Sequence, residues 1–414
     1  MARETLRRRV LVVTGSRAEF GLLRPVIDAL RGRDDVEALV AVAGSHLLGP
    51  ARTEREVRAV YRIDARVPMQ RAGERSRIDG AIAVGRGVQG FARAIAKLAP
   101  EWVVVLGDRV EAFAAASAAS IGGVGVCHIH GGDRAEGIAD EAMRHAITKL
   151  AHLHCVATAS SARRVLKLGE PAELVHVTGS PAIDGLEDVR ALSDADAAPF
   201  GEPRTVLLLH PSGLSEAREQ RVAFALMRAV DEESLGDVIC LAPNADPGGE
   251  IIRSAIEARC ALSGRGVEHV ERRGVVSVKA ARREGDARQP RLWTFLEHLP
   301  RAVFLALLKR MAARSATPGL LVGNSSAGLI EAAALGVRVV NVGPRQSGRE
   351  RAANVVDCAV EDLETLGAKV RAAIAIKPKA LGRHPYGDGH ASERIAALLA
   401  KTDPAPVIRK RNTY

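Results

Sequence analysis

Short runs of β-branched and other apolar residues alternate along this chain with longer stretches whose apolar positions recur at helical spacing. Val10–Val13, Val36–Val42, Trp102–Leu106, Val124–His128 and Leu153–Ala157 read as strands buried on both faces, each a continuous apolar run too short for a helix. Phe20–Leu30, Ile78–Leu98, Val110–Ile121 and Asp140–Leu150 read as helices between them. That rhythm predicts parallel βαβ units in a doubly wound sheet. A polar, turn-rich stretch around Leu192–Pro203 reads as a linker. The rhythm then restarts, with strands at Thr205–Leu209, Asp237–Ala242, Leu320–Val322 and Val337–Asn341, and helices at Glu216–Val230, Arg301–Ala313 and Ala327–Leu335. Between Gly264 and Arg291 the chain is basic and poorly periodic, a surface excursion holding at most a hairpin.

The expected architecture is therefore α/β, with two Rossmann-like domains whose parallel sheets face a central cleft at their carboxyl ends. Its boundaries fall at 1–190, at 204–385, and at a terminal segment, 386–414, made of a helix and a basic tail, the helix packing back on the first domain. A length of 414 residues suits two domains. Apolar residues at 47% and charged residues at 26% mark a globular chain. No apolar run approaches the ~20 residues of a membrane span, and the stretch after the basic Met1–Arg9 is strand-like rather than a signal-peptide core. A cytoplasmic protein is expected. Five scattered cysteines, with no CxxC pair, exclude a zinc ribbon or a disulfide framework.

The net charge of +10 raises nucleic acid as a partner. Aromatic residues at 3% leave few stacking platforms, and the arginines are spread along the chain instead of forming one stripe. An enzyme acting on anionic small molecules fits better.

Chemistry-bearing residues gather where predicted strands end. Thr14-Gly15-Ser16-Arg17 offers a glycine turn, a cation and a helix start, but no GxGxxG fingerprint. Gly107-Asp108-Arg109 puts an acid at the carboxyl end of a parallel strand, where it faces a ligand crevice or caps the next helix. The densest cluster runs from His128 through His130, Asp133, Arg134, Glu136, Asp140, Glu141 and Arg144 to His145. On a strand His128 and His130 would share a face, a metal arrangement that lacks a third well-spaced ligand, so no metal is expected. Asp140 with Arg144 and Glu141 with His145 are spaced to interact on one helix. Solvated pairs account poorly for so many ionisable groups around a Gly-Gly turn, which makes this stretch the candidate acid–base machinery. In the second half His210-Pro211 ends one strand and Asn244 and Asp246 follow another. Gly323-Asn324-Ser325-Ser326, at a strand-to-helix junction, forms an anion pocket or a serine-capped helix, with Glu331 further along that helix. Arg345 and Arg349 add cations on the next loop.

As a set, TGSRAEFGLL, GDR, HIHGGD with DEAMRHAITKLAHLH, GNSSAGLIEA, GPRQSGR and HPYGDGHAS resemble the UDP-N-acetylglucosamine 2-epimerases. TGSRAE and HIHGG are more similar to the hydrolysing branch, which makes N-acetylmannosamine for sialic acid-type sugars. The likeness runs in order from Val10 to about Leu399. It implies the glycosyltransferase-B arrangement of two Rossmann-like domains, no cofactor, a nucleotide-sugar substrate, no nucleic-acid or membrane partner, and a homo-oligomer, dimer or tetramer. The first domain would then hold the sugar and the acid–base groups, the second the nucleotide.

The implied reaction expels UDP, removes the C2 proton to give a 2-acetamidoglucal-like intermediate, and adds water. Arg17, the Ser325–Ser326 helix start and Arg345 or Arg349 would stabilise the departing diphosphate. Asp108, Asp133 or Glu136, Asp140 and His210 are the acid–base candidates. Arg109, His130, Arg144, His145 and Asn244 would line the substrate, Glu331 would hold the ribose, and backbone between His269 and Leu299 the uracil. Asp133 stands where glutamate is commoner, His130 where some relatives carry glutamate, and His384 and His390 where asparagine is frequent. A related substrate, a UDP- or GDP-linked diacetamido-trideoxyhexose, is the alternative within the family. Outside it stand a glycosyltransferase of the same fold and a non-catalytic nucleotide-sugar or nucleic-acid binder.

Overall fold

The computed structural model describes residues 7–49, 52–74, 76–134, 140–233, 236–244, 248–262, 268–272, 275–279, 292–313, 319–377 and 384–413. The described residues form two compact units. One takes in those through Arg134, those from 140 to Gly185 and those from Tyr386 on; the other takes in those from Leu186 to Pro385.

The first unit begins β1 (Arg8–Thr14), α1 (Arg17–Arg31), β2 (Val36–Ala43), α2 (Glu54–Arg58), β3 (Ala65–Val67), α3 (Arg77–Leu98), β4 (Trp102–Leu106) and α4 (Val110–Ile121). It continues with β5 (Gly125–Ile129), α5 (Asp140–Leu150), β6 (Leu153–Val156), α6 (Ala159–Lys167) and β7 (Val175–Val177). All seven strands are parallel, in the order β3-β2-β1-β4-β5-β6-β7. The continuous apolar runs have their explanation in the two faces they serve. Val10 and Val12 pack with Phe20, Leu23 and Ile27 of α1, while Leu11 and Val13 pack on the other face with Phe91 and the alanines of α4. Strand order reverses between β1 and β4, and at such a point the loops after both strands open a crevice.

The second unit contains α7 (Asp194–Ala197), β8 (Pro203–Leu208), α8 (Glu216–Glu232), β9 (Asp237–Leu241), α9 (Gly249–Leu262), β10 (Glu268–Arg272), β11 (Val275–Lys279) and β12 (Trp293–His298). It goes on to α10 (Arg301–Ala313), β13 (Leu320–Gly323), β14 (Arg338–Val342), β15 (Val355–Cys358) and α11 (Leu366–Ala375). Its sheet runs β10-β11-β12-β9-β8-β13-β14-β15. The six strands from β12 to β15 are parallel, and β10 and β11 extend the edge as an antiparallel pair. The rest of the basic excursion lies outside the described residues. Here the switch point falls between β8 and β13.

Three sequence expectations change. β12 was not anticipated beside the basic stretch, yet Trp293 is buried against β9 with the Arg259 guanidinium 4.5 Å over its ring. The Leu192–Pro203 segment is no loose tether. Phe200 is buried, the Leu192 amide donates to Ala306 O at 3.1 Å, and Arg310 donates to Leu192 O at 2.9 Å. The helix expected over Ala327–Leu335 contains a π-helical turn at Gly328–Ala332, where a Cβ on Gly328 would press on Leu321 at 3.0 Å and Val339 at 3.2 Å.

After β15 and α11 the chain returns to the first unit as α12 (Ala391–Lys401), whose Ile395, Ala396 and Leu399 share a core with Val10 and Phe20. Asp184 caps it, accepting from the Ala391 amide at 3.0 Å and the Ser392 amide at 2.6 Å. Beyond it Lys410 donates to Thr148 O at 3.1 Å and Lys149 O at 2.7 Å and pairs with Glu170 at 2.7 Å. So at least one of the tail's basic residues is structural.

Burial alone would push the Glu170 carboxyl up, but hydrogen bonds from His154, Lys149 and Lys410 outweigh it and hold the group at about 2, below its ordinary 4.5. A depressed carboxyl stabilises the fold above its unfolded value, and that contribution is lost as pH falls through the folded one. Melting temperature is expected to drop between about pH 4.5 and 2. Glu170→Gln should remove on the order of 3 kcal/mol at neutral pH and flatten that acid limb, as read by thermal melts across pH.

Candidate active site

At the carboxyl edge of the first sheet, the β1 loop folds around buried acids that the sequence reading passed over. Ser16 caps α1, and Glu19 in its first turn takes the Gly15 amide at 2.6 Å. Burial pushes the Glu19 carboxyl up to about 8. A Cβ on Gly15 would lie 2.5 Å from the Glu111 side chain, so only glycine lets the loop pass so close. Glu111, fully buried, accepts from Gln70 at 3.0 Å and pairs with Arg109 at 3.2 Å. His46 meets Thr14 at 3.0 Å and Thr53 at 2.8 Å, and burial pushes it down to about 4, so it is neutral. The legible signal was a lone glutamate in the alanine-rich α4, two residues past Arg109. Arg17 is engaged by Glu56 of α2, at 2.9 and 2.8 Å.

The loops after β4 and β5 meet through Arg144. Its side chain is 1% exposed and pairs with Asp108, whose own side chain is 20% exposed. Arg144 also pairs with Glu141 at 2.5 Å and donates to Asp133 O at 2.9 Å. Glu141, singled out in the sequence only as a partner of His145, does pair with it at 3.4 Å, but it pairs with Arg144 as well. Glu136 and the Asp140 side chain lie outside the described residues; the backbone of Asp140 opens α5.

His128 and His130 do not share a strand face. β5 ends at Ile129, and His130 turns into the left-handed region at φ +65°. His128, buried and pushed down to about 3, meets Gly107 O at 2.8 Å and Thr148 at 3.2 Å. His130 instead lies between Asp133 at 2.9 Å (Nδ1) and Ser180 at 2.9 Å (Nε2). Asp133, 2% exposed, takes the Ser161 hydroxyl at 2.7 Å on its other oxygen. Among the described residues no three His, Cys, Asp or Glu side chains are grouped to hold a metal ion.

In the second unit Asn324 ties the two switch-point loops together. Its Oδ1 accepts from the His210 amide at 2.8 Å, and its Nδ2 donates to His210 O at 2.8 Å and Ser212 at 3.0 Å. Its carbonyl accepts from Gln346 at 2.9 Å and Arg345 at 3.4 Å. The Asn244 amide donates to His210 Nδ1 at 3.1 Å, and burial, helped by Arg345, pushes the ring down to about 3. His210 is thus a neutral Nε2–H donor, suited to hydrogen-bonding an anion rather than taking a proton. Ser325 caps the next helix, accepting from the Ala327 amide at 3.3 Å, and Ser326 follows it at the helix start. Glu331, on the π-helical turn, is 5% exposed and ion-paired with Arg301. Arg349 lies on the loop after Pro344–Gln346, where its carbonyl accepts from Arg351 at 2.6 Å.

The family model described as UDP-N-acetylglucosamine 2-epimerase matches residues 28–400. A UDP-N,N'-diacetylbacillosamine 2-epimerase (hydrolyzing) of Legionella pneumophila is 33% identical, covering 98% of this chain and 100% of its own length. A UDP-N-acetylglucosamine 2-epimerase of Neisseria meningitidis serogroup B is 28% identical, covering 95% of each. In fold, the chain is similar to the crystal structure of UDP-GlcNAc 2-epimerase from Neisseria meningitidis bound to UDP-GlcNAc. The TM-score is 0.73 at 18% identity, over 95% of this chain and 100% of that one.

Proposed function

This chain belongs to the UDP-N-acetylglucosamine 2-epimerase family, and from that premise we propose that it is a hydrolysing 2-epimerase of a UDP-linked 2-acetamido sugar. The observation that carries the reading is the Arg144-held Asp108 at the switch point of the first sheet, a carboxylate with a partly exposed face on a buried cation. The C2 proton has no neighbouring carbonyl, so it becomes acidic only as the anomeric C–O bond breaks. Donors must therefore take up the charge growing on the diphosphate. The second unit supplies them: His210 Nε2–H, the Ser325-capped helix start with Ser326, and Arg345 and Arg349. Arg17, Arg109, His145 and Asn244 are further substrate contacts. Asp108 takes the C2 proton, water adds at C1, and a second acid, Asp140 or Glu136, returns a proton on the opposite face. Glu331 holds the ribose. The enzyme works in the cytoplasm as a homo-oligomer.

Of the two sugars, the diacetamido-trideoxyhexose is the first to test, since the relative at 33% identity along nearly both whole chains is named for it. UDP-N-acetylglucosamine is the second reading, favoured by the 28% relative. Purified protein is incubated with each nucleotide sugar in heavy water and followed by proton NMR. Free manno-configured sugar deuterated at C2, together with UDP, is the expected product. Transfer to an added acceptor with no free sugar would make the chain a glycosyltransferase, and no turnover of either sugar would end the reading.

UDP is expected to raise the melting temperature by binding the second unit, the linkage being worth ~2.7 kcal/mol at a hundred times the dissociation constant. The double variant Ser326→Ala, Glu331→Ala should lose most of that shift. A shift equal to wild type puts the nucleotide elsewhere.

A further inference from the structure

A line of hydrogen bonds, passing through Asp133 from its carboxylate to its backbone carbonyl, crosses the first unit from the end of β7 to the end of β4. Ser180 Oγ meets His130 Nε2 at 2.9 Å, and His130 Nδ1 meets Asp133 at 2.9 Å. The Asp133 carbonyl takes Arg144 at 2.9 Å, and Arg144 grips Asp108. Its hydrogen-bond partners place the ring hydrogen of His130. A carboxylate only accepts, so His130 Nδ1 carries a hydrogen. In the Nδ1–H tautomer Nε2 is an acceptor, so the Ser180 hydroxyl donates to it while its oxygen accepts from the Ala182 amide at 3.2 Å. Both ring nitrogens of His130 are committed, and Ser180 is fully buried. Each Asp133 oxygen holds a donor of its own. Both His130 ring nitrogens and both Asp133 carboxylate oxygens are thus tied to the protein, and Asp133 is only 2% exposed. A left-handed backbone is uncommon outside glycine and persists where its surroundings over-determine it. Here the two ring bonds and the His130 amide on Cys155 O, at 3.1 Å, do so.

We propose that His130 and Ser180 are positioning residues, which through Asp133 seat Arg144 and so set the placement and basicity of Asp108. The inference rests on Asp108 as the base of the proposed reaction. It moves Asp133 out of the acid–base candidates, and His130 out of the substrate-lining residues, that the sequence suggested. Other charged or titratable groups around this line are Glu141 and His145 on α5, His128 on β5, His154 on β6, Arg164 on α6, and Arg109 beside Asp108. Glu141 shares Arg144, and so it keeps part of the cation's seat when the line is cut.

The test removes one hydroxyl at the end farthest from Asp108. In Ser180→Ala, kcat is expected to fall by roughly 3- to 10-fold, the worth of one hydrogen bond, with KM within about twofold. The acid limb of the kcat profile should move to higher pH, because a looser Arg144 favours the carboxylate less. Ser180→Thr, which keeps the hydroxyl, should restore the limb. A second readout needs no substrate. In 15N-histidine-labelled wild-type protein, His130, assigned by difference against His130→Gln, should carry its hydrogen on Nδ1. Wild-type kcat in folded Ser180→Ala, a kcat loss with an unmoved limb, or an Nε2–H tautomer each overturns the proposal. If the wild type turns over no nucleotide sugar, the reaction falls, while the tautomer still judges the hydrogen-bond line.

Discussion

Asp108→Asn is expected to lower turnover by ~10²–10⁴-fold, the usual contribution of a general acid–base group, with little change in UDP affinity or melting temperature. The reason lies in how Asp108 is held. Asparagine keeps an oxygen for the Arg144 guanidinium but has no basic lone pair for a C2 proton. Removing a buried ion's only partner strands a charge and destabilises strongly. Arg144 escapes that fate because Glu141 and the Asp133 carbonyl remain on it. Chemistry and stability should therefore separate in this variant. Steady-state kinetics, thermal melts and UDP titration on the same preparation check it. Turnover within a few-fold of wild type would pass the base to Asp140. Parallel losses of stability and activity would make Asp108 a structural residue.

Gly323→Ala is expected to be the most damaging single methyl in the second unit. Gly323 ends β13 at φ +149°, and a Cβ there would sit 1.9 Å from the Leu208 carbonyl oxygen of β8. The contact is with backbone, so no side chain can swing away. Backbone strain and overpacking each cost ~1–3 kcal/mol, and here they add at one atom. A loss of about 4 kcal/mol is a large share of a typical domain's stability. The Asn324 amide bonds that same Leu208 oxygen at 3.1 Å, so the damage should spread to the loops that place His210 and Ser325. Thermal melting with UDP titration checks this. A soluble Gly323→Ala protein that melts and binds UDP like wild type contradicts it.

Much of this fold is legible in the sequence, for a physical reason. A strand covered on both faces must be apolar throughout, and Val10–Val13 and Trp102–Leu106 carry that signature. The three-residue edge strands β3 and β7 are too short for any periodicity, and β15 is broken by the charged Asp357. The crevice residues were legible as positions, because ligands favour the carboxyl ends of parallel strands. Their partners were not. Arg144 meets Asp108 across 36 positions, and His130 meets Ser180 across 50. Those meetings depend on strand order, and His130's left-handed turn has no sequence mark. Glu19 and Glu111 read as ordinary helix charges until neighbouring strands bury them.

The return of α12 to the first unit has a consequence for synthesis. Val10 and Phe20 leave the ribosome early, yet the residues that complete their core, Ile395 and Leu399, emerge only after residues 186–385 have been made. Throughout that interval the nascent chain carries an apolar face on α1 with no cover, while the whole second unit is free to fold first. A stalled or prematurely terminated chain would expose that face and invite chaperone capture, even with every residue of β1 to β7 in place.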